Sequence, residues 1–121
     1  MSFELAQRFY FEAAHTLDRS VEAEGSRRVH GHTYFAELTV SGKPDPATGM
    51  VMDLAHLKAL VERAREHLDH HMLDDIDGLG PATLENLCAY LWRCFEADGC
   101  TPERVMVRRE ATGDSCTLTK D

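Results

Sequence analysis

The sequence has no apolar stretch approaching the ~18 residues that a membrane-spanning helix needs, and it is poor in basic side chains. Lys and Arg number 13 against 21 Asp and Glu, which gives a formal net charge of -8. Because phosphate backbones are bound by clustered Lys and Arg, this balance argues against a nucleic-acid partner. The first residues lack a basic stretch followed by an apolar one, so we expect no secretory signal and a cytoplasmic protein without a membrane partner. A small phosphorylated substrate is compatible with this charge, since it needs only a few local cations such as Arg27 and Arg28.

Closely spaced cysteine pairs are also absent. The four cysteines form no Cys-x-x-Cys pair of the zinc-ribbon or redox kind. Cys88 and Cys94 fall within a helical pattern, which is typical of core residues, and reduced thiols suit a cytoplasmic protein. The chemistry is therefore expected elsewhere in the chain.

The order of predicted elements indicates one α+β domain over residues 1–121. The length of 121 residues, with 43% hydrophobic and 28% charged residues, suits a single core. Alternating apolar positions predict strands, helical spacing predicts two helices that begin after Asp53 and near Thr83, and a dense turn signal follows Gly42. The predicted strands cover about 3–15, 29–41, 104–110 and 115–120, with a short returning strand at 50–52. The order ββααββ favours a four-stranded antiparallel sheet with both helices on one face. Its uncovered edges and face predict an oligomer.

Three histidines stand where these strands would bring them together. His30 and His32 are two apart on the second strand, so their side chains point to the same face. His15 ends an apolar face of the preceding strand. If the two strands are neighbours, three imidazoles converge, which suits zinc and leaves a fourth position for water or substrate. A His-x-His pair at a strand end also arises by chance, so the prediction depends on His15.

A second group, Asp69 and His70, follows the first helix. An Asp beside a His can orient the imidazole for proton transfer. Adjacent side chains rarely face each other, however, and a histidine near a helix C-terminus also suits the dipole, so both interpretations stay open. Glu110, at the end of the third strand, is likewise an ordinary strand-end carboxylate by its spacing alone.

Several motifs in order resemble one known family. They are Phe11-Glu-Ala-Ala-His15, Val29-His-Gly-His32, Leu68-Asp-His-His71, Pro81-Ala-Thr-Leu-Glu-Asn86 and Glu110. Together they cover essentially the whole chain and are similar to the 6-pyruvoyl-tetrahydropterin synthases, particularly their bacterial branch of 6-carboxytetrahydropterin synthases. The resemblance implies a tunnelling fold whose sheets join into a barrel, with two trimers stacked as a homo-hexamer and active sites between subunits.

The same resemblance implies the site and the reaction. It assigns Zn²⁺ to His15, His30 and His32, and proton transfer to Asp69 and His70. It makes Glu110 the pterin anchor, and we expect Thr83 and Glu85 in the substrate-binding set. The implied substrate is 7,8-dihydroneopterin triphosphate, converted by elimination of its phosphates and, in the bacterial branch, cleavage of its side chain on the way to queuosine. Zinc would supply Lewis acidity, so no redox cofactor is implied.

One position departs from the family pattern. The usual catalytic cysteine lies four residues before His30, where this chain has Ser26. A serine hydroxyl without assistance is a poor base near neutrality, and Glu24, a residue type that replaces the cysteine in some relatives, is out of register. Three hypotheses follow: an active 6-carboxytetrahydropterin synthase using Asp69 and His70 with Ser26 assisting, a lyase of this fold that cleaves the dihydroneopterin side chain, and a zinc-bearing pterin-binding protein without catalysis. A 6-pyruvoyl-tetrahydropterin synthase activity also belongs to this fold.

Overall fold

The computed structural model describes residues 1–121 and contains one four-stranded antiparallel sheet with the strand order β1-β2-β3-β4. Two long helices separate the second and third strands, and two short helical segments lie in the connections. The elements are β1 (Phe3–His15), α1 (Ala23–Arg27), β2 (His30–Gly42), α2 (Leu54–Glu66), a 3-10 helix (Leu73–Asp75), α3 (Leu84–Ala97), β3 (Arg104–Arg109) and β4 (Asp114–Thr119). The predicted α+β class and strand order are confirmed.

The core lies between one face of the sheet and the helices α2 and α3. Alternate residues of β1 and β2 are buried on this face, as the twofold side-chain period of a strand requires. Helix α2 lies against β1, and α3 lies against β3 and β4. The fully buried side chains include Phe11, Tyr34, Leu57, Leu91 and Phe95. Both helices therefore cover one face of the sheet, as predicted.

The two long helices begin at capping side chains. Asp53 accepts a hydrogen bond from the N–H of Ala55 at 2.8 Å, and Thr83 accepts one from the N–H of Asn86 at 3.1 Å. Each satisfies a backbone donor that has no partner within its helix. These predicted helix starts are confirmed.

The connections differ from the prediction in three places. Helix α1 lies in the segment expected to be a loop, and the 3-10 helix was not predicted. Residues 50–52 are not a strand, because the carbonyl of Met50 accepts from the N–H of Asp45 at 2.9 Å and closes the turn on itself.

The second face of the sheet has no helix over it. Its side chains are charged and aromatic: Arg8 is paired with Glu37 at 2.9 Å, and the guanidinium of Arg108 lies 4.9 Å from the centre of the Phe35 ring. No helix in the structure is long and apolar enough to cross a lipid bilayer.

Candidate metal centre and active site

The predicted convergence of His15, His30 and His32 is confirmed. In the antiparallel register of β1 and β2, His15 lies opposite His30, and Ala13 lies opposite His32. All three imidazoles therefore lie on the helix-covered face, at the end of the sheet. Their ring centres are 4.5 Å to 5.0 Å apart, and one ligand nitrogen from each lies within 4.8 Å of the others.

The nitrogen atoms of this cluster are suited to a metal ion. His15 is 1% exposed, and neither of its ring nitrogens has a hydrogen-bond partner; the Nε2 of His32 is also buried without one. Buried polar atoms without partners are rare in folded proteins. Burial, followed by the neighbouring His30 and His32, lowers the pKa of His15 to about 4, so its imidazole is neutral near pH 7. Neutral imidazoles are the form that coordinates zinc.

His30 is oriented through its other nitrogen. Its Nδ1 lies 2.8 Å from the carbonyl oxygen of Arg28, which fixes that nitrogen as the N–H donor and leaves Nε2 to face the cluster. A hydrogen bond from the second ring nitrogen is the usual way in which a metal-binding histidine is held. The cluster can therefore hold a metal ion through three nitrogens.

Asp69 and His70 are in direct contact, although they are adjacent in sequence. The Nδ1 of His70 lies 2.8 Å from Oδ2 of Asp69. His70 has a left-handed backbone conformation, with φ 59°, which is uncommon for a residue other than glycine. The N–H of Glu12, then His70 and Arg65, hold the pKa of the Asp69 carboxyl below its usual value, against the effect of burial. Asp69 therefore stays ionised near neutral pH and orients the Nε2 of His70 outward.

The segment 69–71 is attached to the outer edge of β1. Glu12 makes two of the bonds: its N–H donates to Oδ1 of Asp69 at 2.9 Å, and its carbonyl accepts from the N–H of His70 at 2.7 Å. The N–H of Ala14 donates to the carbonyl of His71 at 3.1 Å. Nε of Arg65 donates to the carbonyl of Tyr10 at 2.6 Å. These bonds place the His70 side chain, which is 76% exposed, at the sheet edge near His32.

An open groove connects these two groups. It has a volume of about 540 Å³, and His32 and His70 both line it, together with Glu12, Gly31, Thr33 and Met72. The groove is therefore lined both by a histidine of the cluster and by His70 of the Asp69–His70 pair.

Ser26 lies on α1 with its hydroxyl bonded to the backbone. Its Oγ donates to the carbonyl of Ala23 at 2.8 Å and accepts from the N–H of Arg19 at 3.2 Å. Ser26 is buried and lines a polar cavity of about 290 Å³ together with His30 and His32. Its neighbour Glu24 is exposed and paired with Arg28 at 2.9 Å. Ser26 is therefore close to the histidine cluster, and its hydroxyl hydrogen is engaged in a hydrogen bond to the backbone.

The predicted substrate-binding residues fall into two places. Thr83 and Glu85, at the start of α3, line a cavity of about 330 Å³ together with Tyr34 and Arg109. Glu110 lies outside this cavity, exposed after β3 and paired with Arg108. Glu110 directly follows Arg109, which lines the cavity with Thr83 and Glu85.

Three residues near the cluster were not identified from the sequence. Tyr34 and Arg109 face each other across β2 and β3, and each has a buried polar atom without a partner. Asp74 accepts from the N–H of Thr16 at 2.9 Å and from its hydroxyl, which holds the chain just beyond His15. Tyr34 could have been identified because it shares a strand face with His30 and His32. Arg109 could have been identified because it continues the alternate buried positions Val105 and Val107, where a charged residue is unusual.

The family model of the 6-pyruvoyl tetrahydropterin synthases matches residues 4–120 of this chain. The chain belongs to this family. It is 37% identical to the human 6-pyruvoyl tetrahydrobiopterin synthase over 103 residues, covering 74% of this chain and 71% of the human protein. It is 38% identical over 97 residues to the 6-carboxy-5,6,7,8-tetrahydropterin synthase of Synechocystis, covering 75% and 73% of the two chains. The family resemblance stated from the motifs is confirmed.

The solved structures of this family have the same fold. The 6-pyruvoyl tetrahydropterin synthase of Caenorhabditis elegans superposes with a TM-score of 0.85 over 100% of this chain and 97% of that one, at 22% sequence identity. The predicted tunnelling fold is therefore confirmed. The similar identities to the two types of synthase do not distinguish between their reactions.

Proposed function

We propose that this member of the family is a zinc-dependent lyase that converts 7,8-dihydroneopterin triphosphate in the manner of a 6-carboxytetrahydropterin synthase. The observation that carries the proposal is the convergence of three histidine nitrogens beside a groove that also reaches His70. The relatives named as pterin synthases support the substrate class.

Zinc fits the donor set of His15, His30 and His32, since their nitrogens lie close together and those of His15 are buried without other partners. When bound, zinc would supply Lewis acidity to oxygen atoms of the substrate side chain. The fixed tautomer of His30 and the neutral state of His15 prepare the protein for it. Without a fourth protein nitrogen in the cluster, one position is left for the substrate.

Proton transfer is assigned to the Nε2 of His70. Asp69 accepts a hydrogen bond from the Nδ1–H of His70 and stabilises the imidazolium that forms when Nε2 takes a proton from the substrate carbon. The edge bonds of Asp69 to Glu12 and of Arg65 to Tyr10 keep the pair at a constant position relative to the groove. Ser26 is proposed to assist only by holding helix α1 in place beside the histidine cluster, because its hydroxyl donates a hydrogen bond to a backbone carbonyl.

Glu110, Thr83 and Glu85 are proposed to anchor the pterin ring. A carboxylate offers two acceptors to the paired N–H donors of an aminopyrimidinone. Glu110 follows Arg109, which lines one cavity with Thr83 and Glu85, so the three proposed anchors lie at the same end of the sheet. The uncovered sheet face and free sheet edges are consistent with a homo-hexamer of two stacked trimers, which native mass spectrometry tests directly.

The reaction is tested by incubating zinc-loaded protein with 7,8-dihydroneopterin triphosphate and identifying the products by mass. A Ser26→Cys variant is run in parallel, and a His32→Ala variant is the control for a damaged metal cluster. Carboxytetrahydropterin from the unmodified protein would support the synthase assignment and a pathway such as queuosine formation. Turnover by the Ser26→Cys variant alone would contradict it.

A second reaction is favoured because this chain has Ser26 at the position of the reactive cysteine. The Ser26 hydroxyl is already engaged in two hydrogen bonds to the backbone. In that reaction His70 takes a proton from the C2' hydroxyl of 7,8-dihydroneopterin, the C1'–C2' bond breaks, and C2' and C3' leave as glycolaldehyde. The electron pair left on C1' takes a proton back from the His70 imidazolium, which gives 6-hydroxymethyl-7,8-dihydropterin. The same product analysis with 7,8-dihydroneopterin tests it. Tight pterin binding without any product would instead identify a zinc-bearing pterin-binding protein.

A further inference from the structure

Two buried hydrogen-bond donors without partners lie next to the histidine cluster. The hydroxyl of Tyr34, a residue only 1% exposed, has no partner, and neither has the Nε of Arg109. The two residues are opposite each other in the β2–β3 register, on the same face as the three histidines. The Tyr34 ring centre lies 5.6 Å from that of His32. They form a pair of donors beside the proposed metal site.

Such a pair is costly unless a ligand atom accepts from it. A buried donor left without an acceptor destabilises a protein by about 1–3 kcal/mol, and folded proteins contain few of them. Asp114 accepts from Nη2 of Arg109, so the guanidinium retains its ion pair while Nε stays free. The free donors therefore indicate an acceptor that comes from outside the chain.

The charge around the pair indicates that this acceptor is an anion. Arg109 is a permanent cation, and it lines the cavity of about 290 Å³ together with His30 and His32. A guanidinium beside these imidazoles repels a metal cation held by them. An oxyanion between the cation and Arg109 would convert this repulsion into attraction on both sides.

The cavities around Arg109 give the anion a defined place. The cavity of about 330 Å³ that contains Tyr34, Thr83 and Glu85 and the cavity of about 290 Å³ that contains His30 and His32 share Leu17, Arg19, Arg109 and Asp114. Arg109 thus lies between the proposed pterin-binding end and the metal. Arg19 lines both cavities, and its backbone N–H is held by the Ser26 hydroxyl.

We propose that Arg109 and Tyr34, with Arg19 at the rim, bind an oxyanion on the side chain of the substrate, either a phosphate or a carboxylate. This inference rests on the proposed function for the identity of the substrate. Arg109 is the specificity-determining residue, because its planar group bonds two oxygens at once. Glu85 lines only the cavity that contains Thr83, where its carboxylate suits the N–H donors of a pterin, whereas the Asp114 carboxylate in both cavities is already paired with Arg109.

Binding of four probes to the zinc-loaded protein tests the proposal. Neopterin triphosphate, 6-carboxypterin and neopterin are unreactive fluorescent pterins, of which the first two are anionic and the third is neutral; inorganic phosphate needs no pterin site. The variants are Arg109→Gln and Tyr34→Phe. The matched control is Arg104→Gln on the same strand, where Arg104 lies on the uncovered face and is paired with Glu4. Zinc content and melting temperature are measured for each variant.

We expect Arg109→Gln to weaken the binding of at least one anionic pterin by about 10- to 100-fold, which is the loss typical of a charge-assisted hydrogen bond. The affinity for neopterin should change by less than about twofold. The anionic pterin that loses affinity identifies phosphate or carboxylate as the recognised group. Tyr34→Phe should reduce the affinity for the same ligand by a smaller factor. The Arg104→Gln variant should bind all the probes as tightly as the unmodified protein does. If Arg109→Gln does not fold, Arg109→Lys keeps the charge, loses the two-oxygen geometry and should show an intermediate loss.

Unchanged anion binding by the Arg109 variants would overturn the proposal, as would an equal loss for neopterin. If no pterin binds the unmodified protein, the proposed function fails. Phosphate binding that depends on Arg109 would then still support the oxyanion site, whereas absence of phosphate binding at millimolar concentration would refute the site as well.

Discussion

The buried imidazole of His15 should make the metal-free protein sensitive to mild acid. Burial and the neighbouring histidines lower the pKa of His15 to about 4 in the folded chain, against a value of about 6.5 in the unfolded chain. Below pH 6.5 the unfolded state therefore binds a proton that the folded state does not bind. The free energy of unfolding should fall as the pH drops from 6.5 toward 4, and this contribution is fully present only above that range.

The size of the effect follows from the difference between the two pKa values. One pKa unit corresponds to about 1.4 kcal/mol, so His15 alone should remove about 2 kcal/mol between pH 7 and pH 5 and about 3 kcal/mol by pH 4. Burial also lowers the pKa of His32, which adds to the loss. The carboxyls of Asp69 and Asp74 have pKa values below their usual range, so their contribution is lost at lower pH.

Urea unfolding of chelator-treated protein at pH 7, 6 and 5, at one fixed protein concentration, measures this slope. The His15→Gln variant should be less stable at pH 7 but lose markedly less stability on acidification. His56→Gln, at an exposed position of α2, is the control and should keep the slope of the unmodified chain. An identical pH slope in His15→Gln and in the unmodified protein would refute the reasoning. Added zinc should stabilise the unmodified protein most at pH 7, because protons compete with the metal.

Three further predictions concern the site. His32→Ala should reduce zinc, measured by atomic emission after dialysis, from about one ion per chain to a small fraction, because two nitrogens bind far more weakly than three; full occupancy would exclude His32 as a ligand. Asp69→Asn should keep the metal content and lower kcat by about 10²- to 10⁴-fold, since Asn lacks the charge that stabilises the imidazolium and, with its oxygen bonded to the N–H of Glu12, turns an NH2 group toward Nδ1 of His70; an unchanged kcat would remove the pair from the chemistry. Ser26→Ala should cost about 1 kcal/mol of stability, measured by thermal unfolding, through its two lost backbone bonds, and change kcat by less than about tenfold; a loss of about 100-fold or more would mean that the hydroxyl takes part in proton transfer.

The histidine cluster was predictable because it depends on regular geometry. A strand has a side-chain period of two, so His30 and His32 had to share a face, and only the pairing of β1 with β2 was needed to add His15. The helix starts at Asp53 and Thr83 were predictable for a similar reason, because a side-chain cap is a local interaction.

The features that spacing left open or missed depend on irregular backbone or on distant partners. The spacing of Asp69 and His70 left their contact open, and the positive φ at His70, which non-glycine residues adopt uncommonly, is not indicated by the sequence. Helix α1 has five residues and no side-chain cap, so it leaves little signal. The pairing of Tyr34 with Arg109 follows from the β2–β3 register, and these two strands are separated in the sequence by both long helices.

The attachment of residues 65–71 to β1 should also reduce the tendency of the chain to aggregate. An open sheet edge invites strands of other chains and is a common origin of aggregation. The backbone bonds to Tyr10, Glu12 and Ala14 close the final part of this edge, so a foreign strand finds free groups on β1 only toward its beginning. The Asp69 carboxylate, which orients His70, therefore also supplies one of the bonds that protect the folded chain from aberrant pairing. Selection for solubility and selection for catalysis would act on the same side chain.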